Sequence, residues 1–293
     1  MNYYKELFLK GKEKVKDKRL LIHGMVKNAG KELAHNILAL EKIGDFFQDY
    51  RIVIMENNST DNTKQVLQEW QRRNPKVIAL INDFDESKYK AIPVDNQYSV
   101  YFQKSWTQKM FDYRNMVKDY IDNLDFESDY TILVDPDVAN IDPEGVITSF
   151  GSDIEWDSVT ANGYSLSPLL KRRYHDTFAF CEYGLQNQKQ TLQMLIDNSQ
   201  LFAFLRKGMP FIRVFSAYGG LAIYKTDAIK GMKYKMILNE FGGIQTRCEH
   251  FCLCAQMAEK GRDKVFINPN MEIYYQKISF ALIKKKISSF LKK

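Results

Sequence analysis

Tyr130 to Asp142 reads "YTILVDPDVANID". Tyr130–Val134 is a short uncharged run of apolar and β-branched residues, the pattern of a buried strand. Asp135, Pro136 and Asp137 then close it. One reading is a solvated Asp-Pro turn at the strand end. The other is a pair of carboxylates, one residue apart, offering oxygens to a single hard cation such as Mg²⁺ or Mn²⁺. Pro136 stiffens the link and so lowers the entropy lost on ordering such a site. The spacing alone does not choose between them; its context does.

The chain of 293 residues fits one large α/β domain. Hydrophobic residues at 45% and charged residues at 27% are ordinary for a soluble globular protein with a full core. The aromatic share, 13%, suits a ring-lined cleft or an aromatic core equally. A net charge of +6 permits anionic partners without calling for nucleic acid, which is not expected as a partner. The opening "MNYYKELFLKGKEKVKDKR" has no apolar h-region, and no run approaches the roughly 18 apolar residues of a spanning helix. Cys181, Cys248, Cys252 and Cys254 include a C-x3-C-x-C cluster that is not a usual zinc spacing. They read as reduced thiols, and the expected location is cytoplasmic.

Upstream, "RLLIHGMV" (Arg19 to Val26) reads as a first strand, and Glu32 to Ile43 as a helix with Leu33, Ile37 and Leu40 on one face. "YRIVIMENN" (Tyr50 to Asn58) is a second strand. The polar "STDNT" follows, then the helix-like "KQVLQEWQRR", with Ser59, Thr60 or Asp61 as N-cap. "KVIALIND" (Lys76 to Asp83) is a third strand, and a helix near Lys104 to Asp122 precedes "YTILV" as the fourth. Strands alternating with helices predict a mainly parallel sheet flanked by helices. Ligands bind such sheets beyond the carboxyl ends of the strands, where His23, Glu56, Asp83 and Asp135 are expected. "WDSVTANGY", "VFSAYGGLAIYK" and "DKVFINPNMEIYY" read as further strands in a less regular second half.

Polar groups cluster at that edge. A helix N-terminus after "MENNSTDNT" attracts anions, and Glu56 and Asp61 are placed to hydrogen-bond a ribose or base; a capped strand-to-helix turn accounts for the same residues. Arg114 and Asn115 in "DYRNM" lie on the fourth-strand-preceding helix, where an arginine offsets diphosphate charge.

"LLIHGMVKNAGKEL", "ENNSTDNT", "YRN" and "YTILVDPD", in that order over residues 19–145, resemble the nucleotide-sugar half of glycosyltransferases with the A-type fold, family 2-like in this half. The resemblance implies a single Rossmann-like, mixed, mainly parallel α/β sheet flanked by helices. It implies Asp135 and Asp137 as metal ligands for Mn²⁺ or Mg²⁺, with His250 as a further ligand candidate. It places His23, Glu56, Asn58, Asp61, Asp83, Asp85, Arg114, Asn115, Asp135 and Pro136 around a nucleotide-sugar donor. "FSAYGGLAIYK" resembles the Gly-Gly segment on the acceptor side, giving Tyr218, Gly219 and Gly220 there. "CEHF" stands where many members open a helix with Glu-Asp and supply the base, so Glu249, with His250, is the candidate base. Tyr274-Tyr275 replace a histidine that members often carry after the last strand. "YHDTFAF" gives partial likeness to capsule-associated mannosyltransferase-like enzymes and places His175 and Asp176 near the acceptor, with Asp176 a further catalytic candidate. Inversion and retention both stay open.

The expected organisation is an N-terminal basic extension (1–18), a transferase domain (19–276, divided at 145/146) and a basic C-terminal segment (277–293). In that segment Phe280, Ile283, Ile287, Phe290 and Leu291 form one helical stripe among lysines, the pattern of a helix lying on an anionic membrane surface. The expected activity is transfer of a hexose from a UDP- or GDP-sugar to a glycan or lipid-linked saccharide, peripheral to the inner face of a membrane. Two other classes share these features: a sugar-nucleotide nucleotidyltransferase, for which "HGMVKNAGKE" is a poor phosphate loop, and a non-catalytic glycan-binding module.

Overall fold

The computed structural model describes residues 3–89, 102–167 and 170–275. In chain order its elements are α1 (Tyr3–Val15), β1 (Arg19–Val26), α2 (Gly30–Gly44), β2 (Asp49–Asn57), α3 (Thr63–Arg73), β3 (Val77–Asn82), α4 (Lys104–Asp122) and β4 (Tyr130–Val134). There follow β5 (Asn140–Ile141), α5 (Pro143–Gly151), β6 (Ser158–Leu166), β7 (Arg172–Tyr174), α6 (Leu192–Leu201), β8 (Ile212–Val214) and β9 (Leu221–Lys225). The rest are α7 (Thr226–Ile229), β10 (Leu238–Phe241), β11 (Ile244–Thr246), α8 (Glu249–Glu259) and β12 (Val265–Tyr274).

One sheet runs β3-β2-β1-β4-β9-β6-β12-β5, with β7 beside β6 and β8 beside β12. The first four strands are parallel, β9 is antiparallel to both its neighbours, and β12 returns parallel to β6. Alternation along the strands sorts the core. Leu20 and Ile22 of β1 join Ile52 and Ile54 of β2 and Leu33, Ile37 and Leu40 of α2 on one face. Leu21, Val53 and Met55 meet Tyr113, Val117 and Ile121 of α4 on the other. Each such side chain contributes about 1.5–3 kcal/mol by leaving water.

The residues read as an N-terminal extension form α1, which packs on α5. Two glycines allow this approach: a Cβ on Gly11 would lie 2.1 Å from the Ile147 carbonyl oxygen, and one on Gly151 1.8 Å from that of Leu7. Of "VFSAYGGLAIYK" only Leu221–Lys225 continues as β9, because Gly219 and Gly220 take left-handed backbone (φ 67° and 90°) and break the strand. Pro269 falls inside β12 where the register with β6 shifts between Asn268 and Glu272, as a residue without an N–H requires. The helix expected over 277–293 lies outside the described residues. No described helix is long and apolar enough to cross a membrane.

Candidate active site

The "DPD" turn leaves the carboxyl end of β4 and is fastened from three sides. Asp135 N donates to the Gly220 carbonyl (2.9 Å), and Ala139 N donates to that of Tyr274 (2.7 Å). From α2, the buried Asn36 amide donates to the carbonyls of Pro136 (3.0 Å) and Val138 (2.7 Å). Asn36 was not legible in the sequence, where it sits unremarkably within an amphipathic helix. Asn36→Ala leaves these carbonyls without a donor, which costs about 1–3 kcal/mol; a lowered Tm in thermal unfolding checks it. Asp135 is half-buried and Asp137 exposed. Burial and the neighbouring Asp137 carboxylate push Asp135 well above the usual aspartate range. Two hard carboxylates that crowd each other in this way fit a divalent cation, which removes the repulsion.

Tyr218 to Gly220 form the opposite wall. The Tyr218 hydroxyl donates to Asp135 Oδ1 at 2.8 Å, and Gly219 N donates to Asp176 Oδ2 at 3.2 Å. Gly219 passes so close to β6 that a Cβ would stand 2.3 Å from the Ala161 carbonyl oxygen. Asp176, on the loop after β7, also takes left-handed backbone (φ 59°). Burial, with Asp135 and Glu249 nearby, holds its carboxyl well above the usual range. His175 stacks on Tyr275 with ring centroids 3.7 Å apart, and its Nδ1 lies 3.2 Å from Ser165 Oγ. Tyr275 therefore belongs to the site.

Beneath Tyr218 lies a buried ion pair. Arg114 of α4 donates from Nε to Glu249 Oε1 (3.0 Å) and from Nη2 to His250 Nε2 (3.3 Å). Cys248 Sγ donates to Glu249 Oε2 (3.2 Å). Burial alone would raise the Glu249 carboxyl, but the Arg114 guanidinium outweighs it and holds the group at about 2. Both carboxylate oxygens are thus engaged, and a carboxylate held so low is a weak base. Burial, then Arg114, lowers His250 to about 3, so it is neutral. Since arginine only donates, Nε2 accepts and Nδ1 carries the proton. That Nδ1 is buried without a partner. The ligand atoms of Cys248, Glu249 and His250 lie within 4.8 Å of one another. Arg114 donates to Glu249 Oε1 and His250 Nε2, so a cation at these atoms would have to compete with its guanidinium.

At the β1–β3 edge the structure divides the expected donor contacts. Asn58 exchanges hydrogen bonds with the main chain of Phe84 (2.8 and 3.0 Å). Asp61 accepts from Gly30 N (3.1 Å) and Thr63 N (3.0 Å), tying the start of α2 to that of α3. Asn28, Ser59 and Thr60 add further stitches between the same loops. Glu56 is fully buried; Oε1 accepts from Ser59 N at 2.6 Å and Oε2 has no partner. Asp83 is exposed and paired with Lys64, and Asp85 accepts from Ser87 N. Asn115 clamps the main chain of Tyr234 (3.0 and 2.8 Å) instead of facing the site. His23 is not at the strand end either. It sits inside β1 opposite Val53 and Leu133, and burial, with Arg114 and Lys118 nearby, pushes it to about 3.

The carboxylate that organises this edge is Glu86, which sequence reading passed over beside Asp83 and Asp85. It accepts from Lys27 (3.1 Å), Asn57 (3.2 Å), Tyr113 (3.0 Å) and Lys109 (2.7 Å). Burial works against ionisation, but Lys109, Lys27 and Tyr113 together hold its carboxyl at about 2. All four cysteines are free and buried.

Residues 25–92 match the family described as Glycosyl transferase family 2. This segment runs from the end of β1 past β3. The expected mixed, mainly parallel α/β sheet flanked by helices is the one observed. No curated protein matches the chain. Solved structures similar to it include a mannosyltransferase from Pyrobaculum calidifontis in complex with GDP-Man and Mn²⁺, 9% identical, TM-score 0.45, covering 99% of this chain and 70% of that one. S. aureus TarS 1–349 is 14% identical, TM-score 0.45, with 93% and 70% covered. Glucosyl-3-phosphoglycerate synthase from Mycobacterium tuberculosis, in complex with Mn²⁺ and UDP-glucose, is 11% identical, TM-score 0.44, with 98% and 80% covered.

Proposed function

We propose that the protein is a metal-dependent glycosyltransferase that moves a hexose from a UDP- or GDP-linked donor to a hydroxyl of a glycan or lipid-linked saccharide. The observation that carries this reading is the Asp135–Asp137 pair, fastened at the carboxyl end of β4 beside loops that match family 2. Asp135 and Asp137 would hold Mn²⁺ or Mg²⁺, which as a Lewis acid stabilises the departing nucleoside diphosphate. The rest falls to the chain's own groups. Arg114 keeps a full positive charge behind the pair, and Glu249 balances it.

Proton acceptance from the acceptor hydroxyl is assigned to Asp176. Glu249 is spent on Arg114, whereas Asp176 gives one oxygen to a backbone N–H and burial raises its carboxyl above the usual range. Such a base contributes typically about 10²–10⁴-fold in rate. Asp176→Asn keeps an acceptor for Gly219 N and removes the base, so transfer falls by about that factor while nucleoside diphosphate still binds; steady-state transfer rates beside calorimetric binding check it. Near wild-type transfer would take this role away from Asp176. Residues 277–293, beyond the described structure, are our proposed contact with an anionic membrane surface.

Incubation with a panel of UDP- and GDP-hexoses and Mn²⁺ tests the activity. Slow, metal-dependent release of nucleoside diphosphate from one donor supports it. Pyrophosphate release from a nucleoside triphosphate and a sugar phosphate would instead mark a nucleotidyltransferase, and silence in both assays a binding module.

A further inference from the structure

Tyr218, placed by sequence on the acceptor side, is 2% exposed, so its side chain is packed on protein groups over most of its surface. Its ring lies nearly flat on His250, with centroids 3.7 Å apart and planes 13° from parallel. Its hydroxyl reaches across to Asp135 Oδ1 at 2.8 Å. The main chain is held as firmly, since Ala161 N donates to the Tyr218 carbonyl (3.3 Å) and Asp135 N to that of Gly220. His250 in turn is fixed by Arg114, whose guanidinium carbon also lies 5.7 Å from the Tyr218 ring centroid. Ring, hydroxyl and main chain are therefore each held by a partner within the protein.

We propose that Tyr218 is a positioning residue for the divalent cation, using its hydroxyl to fix the Asp135 carboxylate in the orientation that binds metal. The inference rests on the reading of Asp135 and Asp137 as the cation's ligands. Its physical content is simple. A carboxylate at the end of a two-torsion side chain turns about its last bond unless something holds it, and the phenol holds Oδ1. The donor is neutral, so the hydrogen bond orients Asp135 without cancelling the charge that attracts the cation. A lysine or arginine in its place would orient the group and discharge it together. Arg114 supplies its charge from behind, one aromatic layer removed and already paired with Glu249. Groups that orient metal ligands in this manner typically contribute about 10–100-fold in metal affinity.

The test is the affinity of the folded protein for Mn²⁺ alone, read from the electron paramagnetic resonance signal of the free ion, for wild type, Tyr218→Phe and Asp137→Ala. Tyr218→Phe keeps the ring stacked on His250 and deletes only the hydroxyl, and circular dichroism confirms its fold. The expected result is a Kd for Mn²⁺ raised about 10–100-fold, with turnover recovering as Mn²⁺ is raised to saturation. A merely structural role would lower thermal stability and leave the Mn²⁺ Kd unchanged, and an unchanged Kd overturns the proposal. Asp137→Ala separates the two levels. Loss of Mn²⁺ binding there, with an unchanged Kd in Tyr218→Phe, refutes the positioning role alone. Wild-type Mn²⁺ binding in Asp137→Ala refutes the carboxylate-pair reading itself, and the positioning role with it.

Discussion

Asp137→Ala is expected to lower donor turnover by about 10³-fold while leaving the fold intact. Lewis-acid stabilisation of a phosphoryl oxygen is worth several kcal/mol, and each 1.36 kcal/mol is tenfold in rate. Asp137 is exposed, and its neighbours Pro136 and Val138 are held through their carbonyls by Asn36. Removing its side chain therefore changes stability by no more than about 0.5 kcal/mol, as for surface substitutions generally. Steady-state kinetics beside thermal unfolding reads both quantities. The turn-only reading of "DPD" predicts the reverse: ordinary kinetics and at most a small loss of stability.

The second large effect concerns stability. Arg114→Met leaves the Glu249 carboxylate buried without its cation, which destabilises by about 3–5 kcal/mol. Replacing both partners by apolar residues, Arg114→Met with Glu249→Leu, removes the uncompensated charge and recovers most of that loss. The same pair sets a pH dependence. The folded-state value for Glu249, about 2, lies below the unfolded one, about 4.3. Its stabilisation is thus complete above the unfolded value and is lost as pH falls from there through about 2. Denaturant midpoints between pH 5 and pH 2 should fall more steeply for wild type than for the double variant. A single variant as stable as wild type would remove Arg114 as the partner of that charge.

The parallel half of the fold was legible because its signals are local. Strands such as "RLLIHGMV" and the amphipathic α2 carry their periodicity within eight to fifteen residues. Residue types at the strand ends were legible too, but their partners were not. Asn58 and Asp61 look like ligand-binding polar groups in sequence, yet they satisfy main-chain groups of neighbouring loops. The Glu86 centre draws on Lys27, Asn57, Lys109 and Tyr113, and no spacing along the chain announces such a set. Glu249 resembled a free base because its partner Arg114 is 135 residues away. Helix α1 was read as an extension because its lysines dominate the composition, while the small face at Gly11 that meets Gly151 is silent in a charge count.

The proposed activity requires a cation held by Asp135 and Asp137 against a nucleoside diphosphate. The most direct measurement is a crystal structure of the protein with UDP or GDP and Mn²⁺, with the metal located by its anomalous signal. The ion is expected between the Asp135 and Asp137 carboxylates and the diphosphate, with the Tyr218 hydroxyl still on Asp135 Oδ1. A nucleotide bound with no ion at this pair, or Mn²⁺ held by Cys248, Glu249 and His250 with Arg114 displaced, would contradict it.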